Sequence, residues 1–97
     1  MENNLIGRFA VSQAGHDKDT LYVIIAQEGS FVYLCDGKFH TLEKPKKKSM
    51  KHIALCKDSV SMDMVKRIII KKKIFDHEIK YAIKIQEKGK EEGYVKE

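Results

Sequence analysis

Lysine side chains dominate the residues of this sequence that could do chemistry. Residues 38–57 contain seven lysines and a single acidic residue, Glu43. These lysines are Lys38, Lys44, Lys46, Lys47, Lys48, Lys51 and Lys57. Ammonium groups neutralise phosphates and release the counterions condensed on them, so such a run is typical of contact with a nucleic-acid backbone. The alternative is a solvated edge that protects against aggregation, but seven lysines against one acid exceed what that role needs.

Positive charge is concentrated in the second part of the chain. The 97 residues carry a formal net charge of +5, and residues 1–36 contain only two basic residues, Arg8 and Lys18. A basic balance of this kind favours an anionic partner. Pro45 stiffens the backbone just before Lys46-Lys47-Lys48, which would present three ammonium groups with little loss of conformational freedom.

Aromatic side chains near the lysines could stack on unpaired bases. Phe39 and His40, next to Lys38, are the favoured candidates. Tyr22 and Tyr33 lie in apolar runs, where aromatic residues more often pack in a core or across strands.

The spacing of the residues supports no metal site, redox site or catalytic site. The four histidines, His16, His40, His52 and His77, lack the spacing of metal ligands, so no metal site is expected. Cys35 and Cys56 are separated by 20 residues, which favours two reduced thiols packed as small apolar groups in a cytoplasmic protein.

Two aspartates in one loop resemble an acid–base pair but have a simpler role. Asp17 and Asp19 flank Lys18, and aspartates in loops commonly accept hydrogen bonds from nearby backbone groups. The sequence has no glycine-rich phosphate loop, GxSxG or HExxH pattern. We therefore expect no catalytic residue and no cofactor, which means that the protein is not an enzyme.

Turn signals predict five short strands in the first part of the chain. Gly29-Ser30 and Asp36-Gly37 separate β-rich runs and favour two-residue hairpin turns. The predicted strands are residues 8–14, 21–26, 31–35, 38–43 and 51–55. Residues 21–25 are apolar on both faces, which predicts a central strand. A meander of this size avoids exposed edges most easily by curling into a small SH3-like barrel.

Two helices are predicted after the strands. Met64, Val65, Ile68 and Ile69 form an apolar stripe at helical spacing, with Ser61 as the N-cap. The β-branched run 68–70 leaves a strand open as an alternative there. The second predicted helix is capped by Asp76 and stopped by Gly89, and its apolar stripe is Ile79, Ala82 and Ile83.

The predicted fold class is mainly β, and its organisation follows from these elements. Residues 5–56 form a five-stranded SH3-like barrel, and residues 59–89 form a C-terminal helical hairpin. Residues 1–4 and 90–97 are expected to be flexible. No apolar run approaches the ~20 residues of a membrane span, so no membrane partner is expected.

The first part of the chain resembles a KOW motif. Residues 6–24 read IGRFAVSQAGHDKDTLYVI, in which a strand with an opening glycine leads into a Gly-x-Asp-Lys-Gly-like loop and an apolar strand. Residues 32–38 and 42–48 then resemble bacterial KOW-domain RNA-binding proteins. Those proteins are similar in turn to the archaeal and eukaryotic large-subunit ribosomal protein fourteen-e. The resemblance covers residues 5–56 and, more loosely, the helical segment.

This resemblance implies an SH3-like barrel that binds RNA, typically ribosomal RNA, through the loop between its first two strands. Asp19 stands where the motif has its last glycine. Aspartate tolerates a left-handed backbone better than most residues, but its carboxylate would repel a phosphate. His16 and Lys18 are therefore the expected contacts in the loop.

The sequence as a whole predicts a non-enzymatic, ribosome-associated RNA-binding module whose partner is ribosomal RNA of the large subunit. Lysines position a backbone more than they specify bases, so RNA shape would dominate recognition. The predicted contact residues are His16, Lys18, Lys38, Phe39, His40, Lys44, Lys46, Lys47, Lys48 and Lys51.

The sequence leaves two alternative functions open. One is a protein-interaction module of a transcription or translation complex, bound to ribosomal or transcription proteins through the barrel edge and the helical segment. The apolar residues expected to form that surface of the helical segment are Met62, Met64, Val65, Ile68 and Ile69. The other alternative is non-specific binding to DNA.

Overall fold

Five strands and two helices make up the protein in a computed structural model, which describes residues 5–95 and the side chains of residues 5–89. The strands are β1 (Arg8–Ser12), β2 (Leu21–Glu28), β3 (Phe31–Cys35), β4 (Lys46–Ser49) and β5 (Ile53–Ser59). A short 3-10 helix, Met50–His52, joins β4 to β5, and the helices are α1 (Met62–Ile70) and α2 (Asp76–Val95). The predicted class, mainly β with C-terminal helices, is confirmed.

The strands form one antiparallel sheet in the order β4-β3-β2-β1-β5. β2 is central, as its apolar character on both faces predicts. The strands β4 and β5 lie at opposite edges, yet only the three residues Met50–His52 separate them in sequence. The edges of a flat five-stranded sheet would be about 19 Å apart, whereas three residues of 3-10 helix rise only about 6 Å. The sheet must therefore be strongly curled.

The curled sheet is not closed into a barrel by hydrogen bonds between its two edge strands. Within residues 5–95, no ladder joins β4 to β5. The connecting turn is held instead from both sides, since Met50 N donates to Ser30 O at 2.8 Å and Gln13 N donates to His52 O at 2.8 Å. Register shifts near Ala10 in β1 and between Ile24 and Ala26 add to the bend.

Each face of the sheet buries a separate apolar cluster. The concave cluster contains Ala10, Tyr22, Ile24, Val32 and Leu34. The cluster on the other face, which we call the helix-side cluster, contains Phe9, Leu21, Val23, Cys35, Val60, Ile68, Ile79 and Ile83. Because this second cluster combines strand and helix residues, the helical segment packs on the sheet and shares its core.

The predicted strand at residues 38–43 is wrong. Asp36 Oδ1 accepts hydrogen bonds from the backbone N–H groups of Lys38 (2.9 Å) and His40 (2.8 Å), which closes a tight loop instead of a hairpin. Gly37 has a φ of +75° and lies directly against the first turn of α2. The edge strand begins after Pro45, which has no N–H to give to a ladder.

Smaller corrections apply at two other strand ends. β1 ends at Ser12, two residues before the predicted end, because Ser12 already takes part in the following loop: Ser12 O accepts from Asp19 N and Ser12 N donates to Thr20 O. β5 begins at Ile53 and not at residue 51, because Lys51 and His52 belong to the 3-10 turn.

Helix α1 forms as predicted and the strand alternative for residues 68–70 is wrong. Ser61 is the N-cap, and its Oγ accepts from Met64 N at 3.2 Å. Ile68 is buried on the apolar stripe. The helix ends where Lys71 takes a left-handed conformation with a φ of +59°.

Helix α2 forms where it is predicted, but Asp76 is its first residue and not its cap, and Gly89 does not end it. The Asp76 carboxylate accepts from Leu42 N at 2.7 Å and so holds the segment before β4. The helix continues to Val95, since a single glycine costs a helix only about 1 kcal/mol. Residues 90–95 are thus helical, residues 1–4 and 96–97 lie outside the described residues, and the flexibility of both termini stays a prediction.

Both cysteines are free, as expected from their spacing; Cys35 belongs to the helix-side cluster and Cys56 packs against it. Burial raises the pKa of Cys35 to about 12, and the nearby Asp76 and Asp36 carboxylates add to the rise. Cys35 therefore stays a thiol at neutral pH. Over residues 5–95, no helix combines the length and apolar character needed to cross a bilayer.

Candidate nucleic-acid interface

The two long loops of the sheet leave it at the same end. The β1–β2 loop (residues 13–20) carries His16 and Lys18, and the β3–β4 loop (residues 36–45) carries Lys38, Phe39 and Lys44. Successive antiparallel strands reverse direction, so the first and third connections of a meander emerge side by side. Sheet topology thus brings together residues that lie up to about 30 positions apart in the sequence.

The centre of this end is the carboxylate of Asp17. Its Oδ1 accepts hydrogen bonds from Lys48 Nζ at 2.9 Å and from Ser12 Oγ at 3.0 Å. Its Oδ2 accepts from Tyr22 OH at 2.8 Å and lies 3.8 Å from Lys46 Nζ. We call these five residues the Asp17 cluster. It joins the edge strand β4 to the β1–β2 loop across the concave face of the sheet.

The charge state of the Asp17 cluster is fixed over a wide pH range. Burial opposes ionisation of Asp17, but the hydrogen bonds from Lys48, Tyr22 and Ser12 and the charge of Lys46 outweigh it and hold its pKa well below the usual value. Burial, together with the hydrogen bond to Asp17, raises the pKa of Tyr22 well above its usual value. Asp17 is therefore an anion and Tyr22 a neutral donor at physiological pH.

Strand β4 divides the predicted lysine run between two faces. Lys46 and Lys48 pair with Leu34 and Val32, both residues of the concave cluster, and point inwards with them. The Lys48 side chain is only 10% exposed, and its Nζ also donates to Ala14 O at 3.0 Å. Lys48 is thus committed to the β1–β2 loop.

Lys47 points outwards between these two inward lysines. It is exposed, and its Nζ lies 4.8 Å from the ring centroid of Phe31. Lys18, Lys38, Lys44 and Lys51 are also exposed. Among the side chains of residues 5–89, none of these five lysines has a carboxylate within ion-pair distance. They are the part of the predicted contact set that can meet a phosphate directly.

The backbone of the β1–β2 loop is left-handed at two positions. Gly15 and Asp19 have φ values of +88° and +76°, so Asp19 adopts the left-handed backbone that aspartate tolerates better than most residues. Asp19 N donates to Ser12 O at 2.8 Å, and Lys18 N donates to Gly15 O at 3.2 Å. His16 and Lys18 lie exposed on this loop.

The aromatic candidates of the β3–β4 loop have different surroundings. His40 is half-buried, and its ring centroid lies 5.9 Å from that of Tyr22. Phe39 is 76% exposed, with Lys38 Nζ 5.0 Å from its ring centroid. Phe39 is thus presented to solvent, whereas His40 packs on the side chain that donates to Asp17.

Sequence reasoning missed two lysines of helix α2. Lys80 and Lys84 line a groove together with Lys38 and Phe39. Their spacing of four residues shows that they share a face of the helix. This face borders the apolar stripe, because Ile83 lines the same groove. Only the packing of α2 against Gly37 shows that this face meets the β3–β4 loop.

The chain matches no protein-family model and no curated protein. Within the described part of the chain, no three histidine, cysteine or acidic side chains are grouped so that they could hold a metal ion. The fold and the interface thus define a small curled-sheet domain with lysine-bearing loops at one end.

Proposed function

We propose that this chain is a non-enzymatic RNA-binding module of the KOW type that docks on the backbone of large-subunit ribosomal RNA. The proposed fold is an SH3-like barrel. Its support is the strand order, in which a three-residue turn joins two opposite edge strands and forces the sheet to curl. The left-handed Asp19, at the place of the motif's glycine, supports the resemblance in the β1–β2 loop.

The observation that carries the proposal is that exposed lysines occupy both long loops, strand β4 and the 3-10 turn, while the β1–β2 loop is itself held in place. Lys18, Lys38, Lys44, Lys47 and Lys51 are exposed, and Asp17 fixes the β1–β2 loop to β4. A fixed scaffold loses little conformational freedom when the RNA binds. In this arrangement Lys48 supports the interface from within, and the exposed ammonium groups contact phosphates.

Replacing Lys44, Lys47 and Lys51 together by Gln should weaken binding to a large-subunit ribosomal RNA fragment. Each lost phosphate contact removes about 0.7–0.9 units from the slope of log affinity against log salt, so the slope should fall by about two units or more. Fluorescence anisotropy titrations at several salt concentrations measure both quantities.

The matched control for this variant removes the same charge elsewhere. Lys57, Lys66 and Lys72 are exposed and lie on β5, on α1 and after α1. Their triple Gln variant should keep most of the affinity and the slope. Equal losses in the two triple variants would mean that only net charge matters, and would contradict a defined interface.

A second candidate function, docking to a protein, is favoured by apolar side chains on the helical segment. The surface expected from the sequence needs correction, because Ile68 is buried and Met64 and Val65 pack against the helix-side cluster. The exposed apolar residues of this segment are Met62, Ile69, Ile70, Phe75, Tyr81 and Ile85.

Nuclease treatment separates the two candidate functions. Association of the protein with ribosomal subunits in sedimentation should be lost after nuclease digestion if RNA is the partner. The double variant Ile69→Asp and Ile70→Asp should then sediment like the wild type, since both side chains are already exposed. Association that survives nuclease and is abolished by this double variant would favour the protein partner.

A further inference from the structure

A groove lies between helix α2 and the two long loops. Its volume is about 520 Å³, within the range of small-ligand sites. Its walls include an aromatic ring from the β3–β4 loop and lysines from that loop and from α2. The residues that the argument uses are Lys38, Phe39, Lys80, Lys84, Asp19 and Glu87.

Phe39 presents its ring to solvent from a fixed backbone. The side chain is 76% exposed, the largest fraction among the exposed large apolar side chains of residues 5–89. The loop beneath it is closed by two hydrogen bonds to Asp36 Oδ1 and by Asp36 N donating to His40 O at 2.9 Å. Gly37 packs on α2 from the other side. A ring held in this way can stack on a flat ligand with little loss of conformational freedom.

The opposite wall carries two ammonium groups one helical turn apart. Lys80 and Lys84 are both exposed, and among the side chains of residues 5–89 neither has a carboxylate within ion-pair distance. Like charges at this spacing destabilise a helix slightly when nothing lies between them. Two phosphates of one strand would satisfy both lysines.

Carboxylates in the same groove favour single-stranded RNA over duplex RNA. Asp19 and Glu87, which are exposed, and the half-buried Asp36 line the groove with the lysines. A duplex carries phosphates on both of its strands. Docking a duplex would therefore bring some phosphates against these carboxylates. A single strand can turn its phosphates to the lysines and its base edges to the carboxylates, which accept hydrogen bonds from base amino groups.

We infer that this groove binds an unpaired RNA nucleotide, with its base stacked on Phe39 and the flanking phosphates on Lys80 and Lys84. The inference rests on the proposed function, names single-stranded RNA as the preferred form, and adds α2 to the interface.

Fluorescence anisotropy with one labelled RNA oligonucleotide, used alone and annealed to its complement, tests the groove. Phe39→Ala should lower the affinity for the single strand at least about fivefold, because base–aromatic stacking contributes that much. Phe39→Leu should give a similar loss, since it keeps apolar bulk and removes the aromatic face. The double variant Lys80→Gln and Lys84→Gln should reduce the salt slope for the single strand by about 1.4 units.

Phe75→Ala is the matched control, because Phe75 is 55% exposed and lies outside the groove. It should leave both affinities unchanged, and the groove variants should leave the duplex affinity unchanged. Groove variants that bind the single strand like the wild type overturn the inference. If the Lys44, Lys47 and Lys51 variant nevertheless loses RNA binding, the proposed function stands without the groove. If the wild type binds neither form of RNA, the proposed function is wrong and the inference falls with it.

Discussion

Asp17→Ala should lower the free energy of unfolding by about 3 kcal/mol, a large part of the stability of a small domain. The substitution leaves the ammonium group of Lys48, whose side chain is 10% exposed, without its carboxylate partner. It also removes the acceptor of the buried Tyr22 hydroxyl. A buried donor that loses its partner costs about 1–3 kcal/mol. Urea unfolding followed by circular dichroism measures the change.

Acid should weaken the wild type through the same carboxylate. Asp17 has a lowered pKa in the folded protein, whereas in the unfolded chain it titrates near the usual 3.9. Its contribution to stability is therefore present above about pH 5, and it is lost progressively as the pH falls below about 4, because the unfolded chain takes up the proton first. The urea midpoint of the wild type should fall steeply between about pH 4 and pH 2.

Two amide variants give the matched comparison for this pH dependence. Asp17→Asn should show a flatter profile in the acid range, since the titrating group is gone. Asp19→Asn removes a carboxylate two residues away, and asparagine still tolerates the left-handed backbone at a φ of +76°. It should keep the steep wild-type profile. If wild type and Asp17→Asn show the same acid sensitivity, the Asp17 cluster does not control stability.

The Asp17 cluster also shows where sequence reasoning stops. Asp17 and Lys48 are 31 positions apart, and no local pattern connects them. The sequence predicts that Asp17 accepts hydrogen bonds within its own loop, but all four partners of its carboxylate come from strands β1, β2 and β4. The pairing depends on the curl of the sheet, which follows from the whole strand order.

The prediction for the lysine run failed for a local reason. A strand at residues 46–49 has side chains that alternate between faces, so Lys46 and Lys48 must differ from Lys47. The sequence places the preceding strand at residues 38–43 and treats residues 46–48 as a loop, which hides this alternation. The error comes from Asp36-Gly37, a dipeptide typical of hairpin turns that is used here to close a loop against a helix.

Features set by local chemistry were predictable. The apolar residues of β2 predict a central strand and Ser61 predicts the start of α1; both are confirmed. Each depends on a few neighbouring residues and on one physical preference. The groove at Lys80 and Lys84 depends instead on how α2 docks on the sheet, which no short segment determines.

Gly37→Ala should be nearly as damaging as the loss of Asp17, with an expected loss of about 3 kcal/mol. Gly37 has a φ of +75°, and a Cβ atom there would overlap the carbonyl oxygen of Asp76 and lie 2.9 Å from Lys80 N. Both neighbours are helix backbone, which cannot rotate away as a side chain can. The loop or the start of α2 must therefore move.

Gly29→Ala separates the two causes of this loss, because Gly29 has a similar φ of +60° and open space where its Cβ would lie. It should lose only about 1 kcal/mol, the cost of the left-handed backbone alone. The difference between the two variants in urea unfolding then measures how tightly the β3–β4 loop is packed on α2. Equal losses would mean that α2 can move away from the loop at little cost in free energy. A groove whose two walls are Phe39 and Lys80 could not then be preformed. A large difference, with Gly37→Ala also weakening single-stranded RNA binding, would tie the packing of the loop to the geometry of the interface.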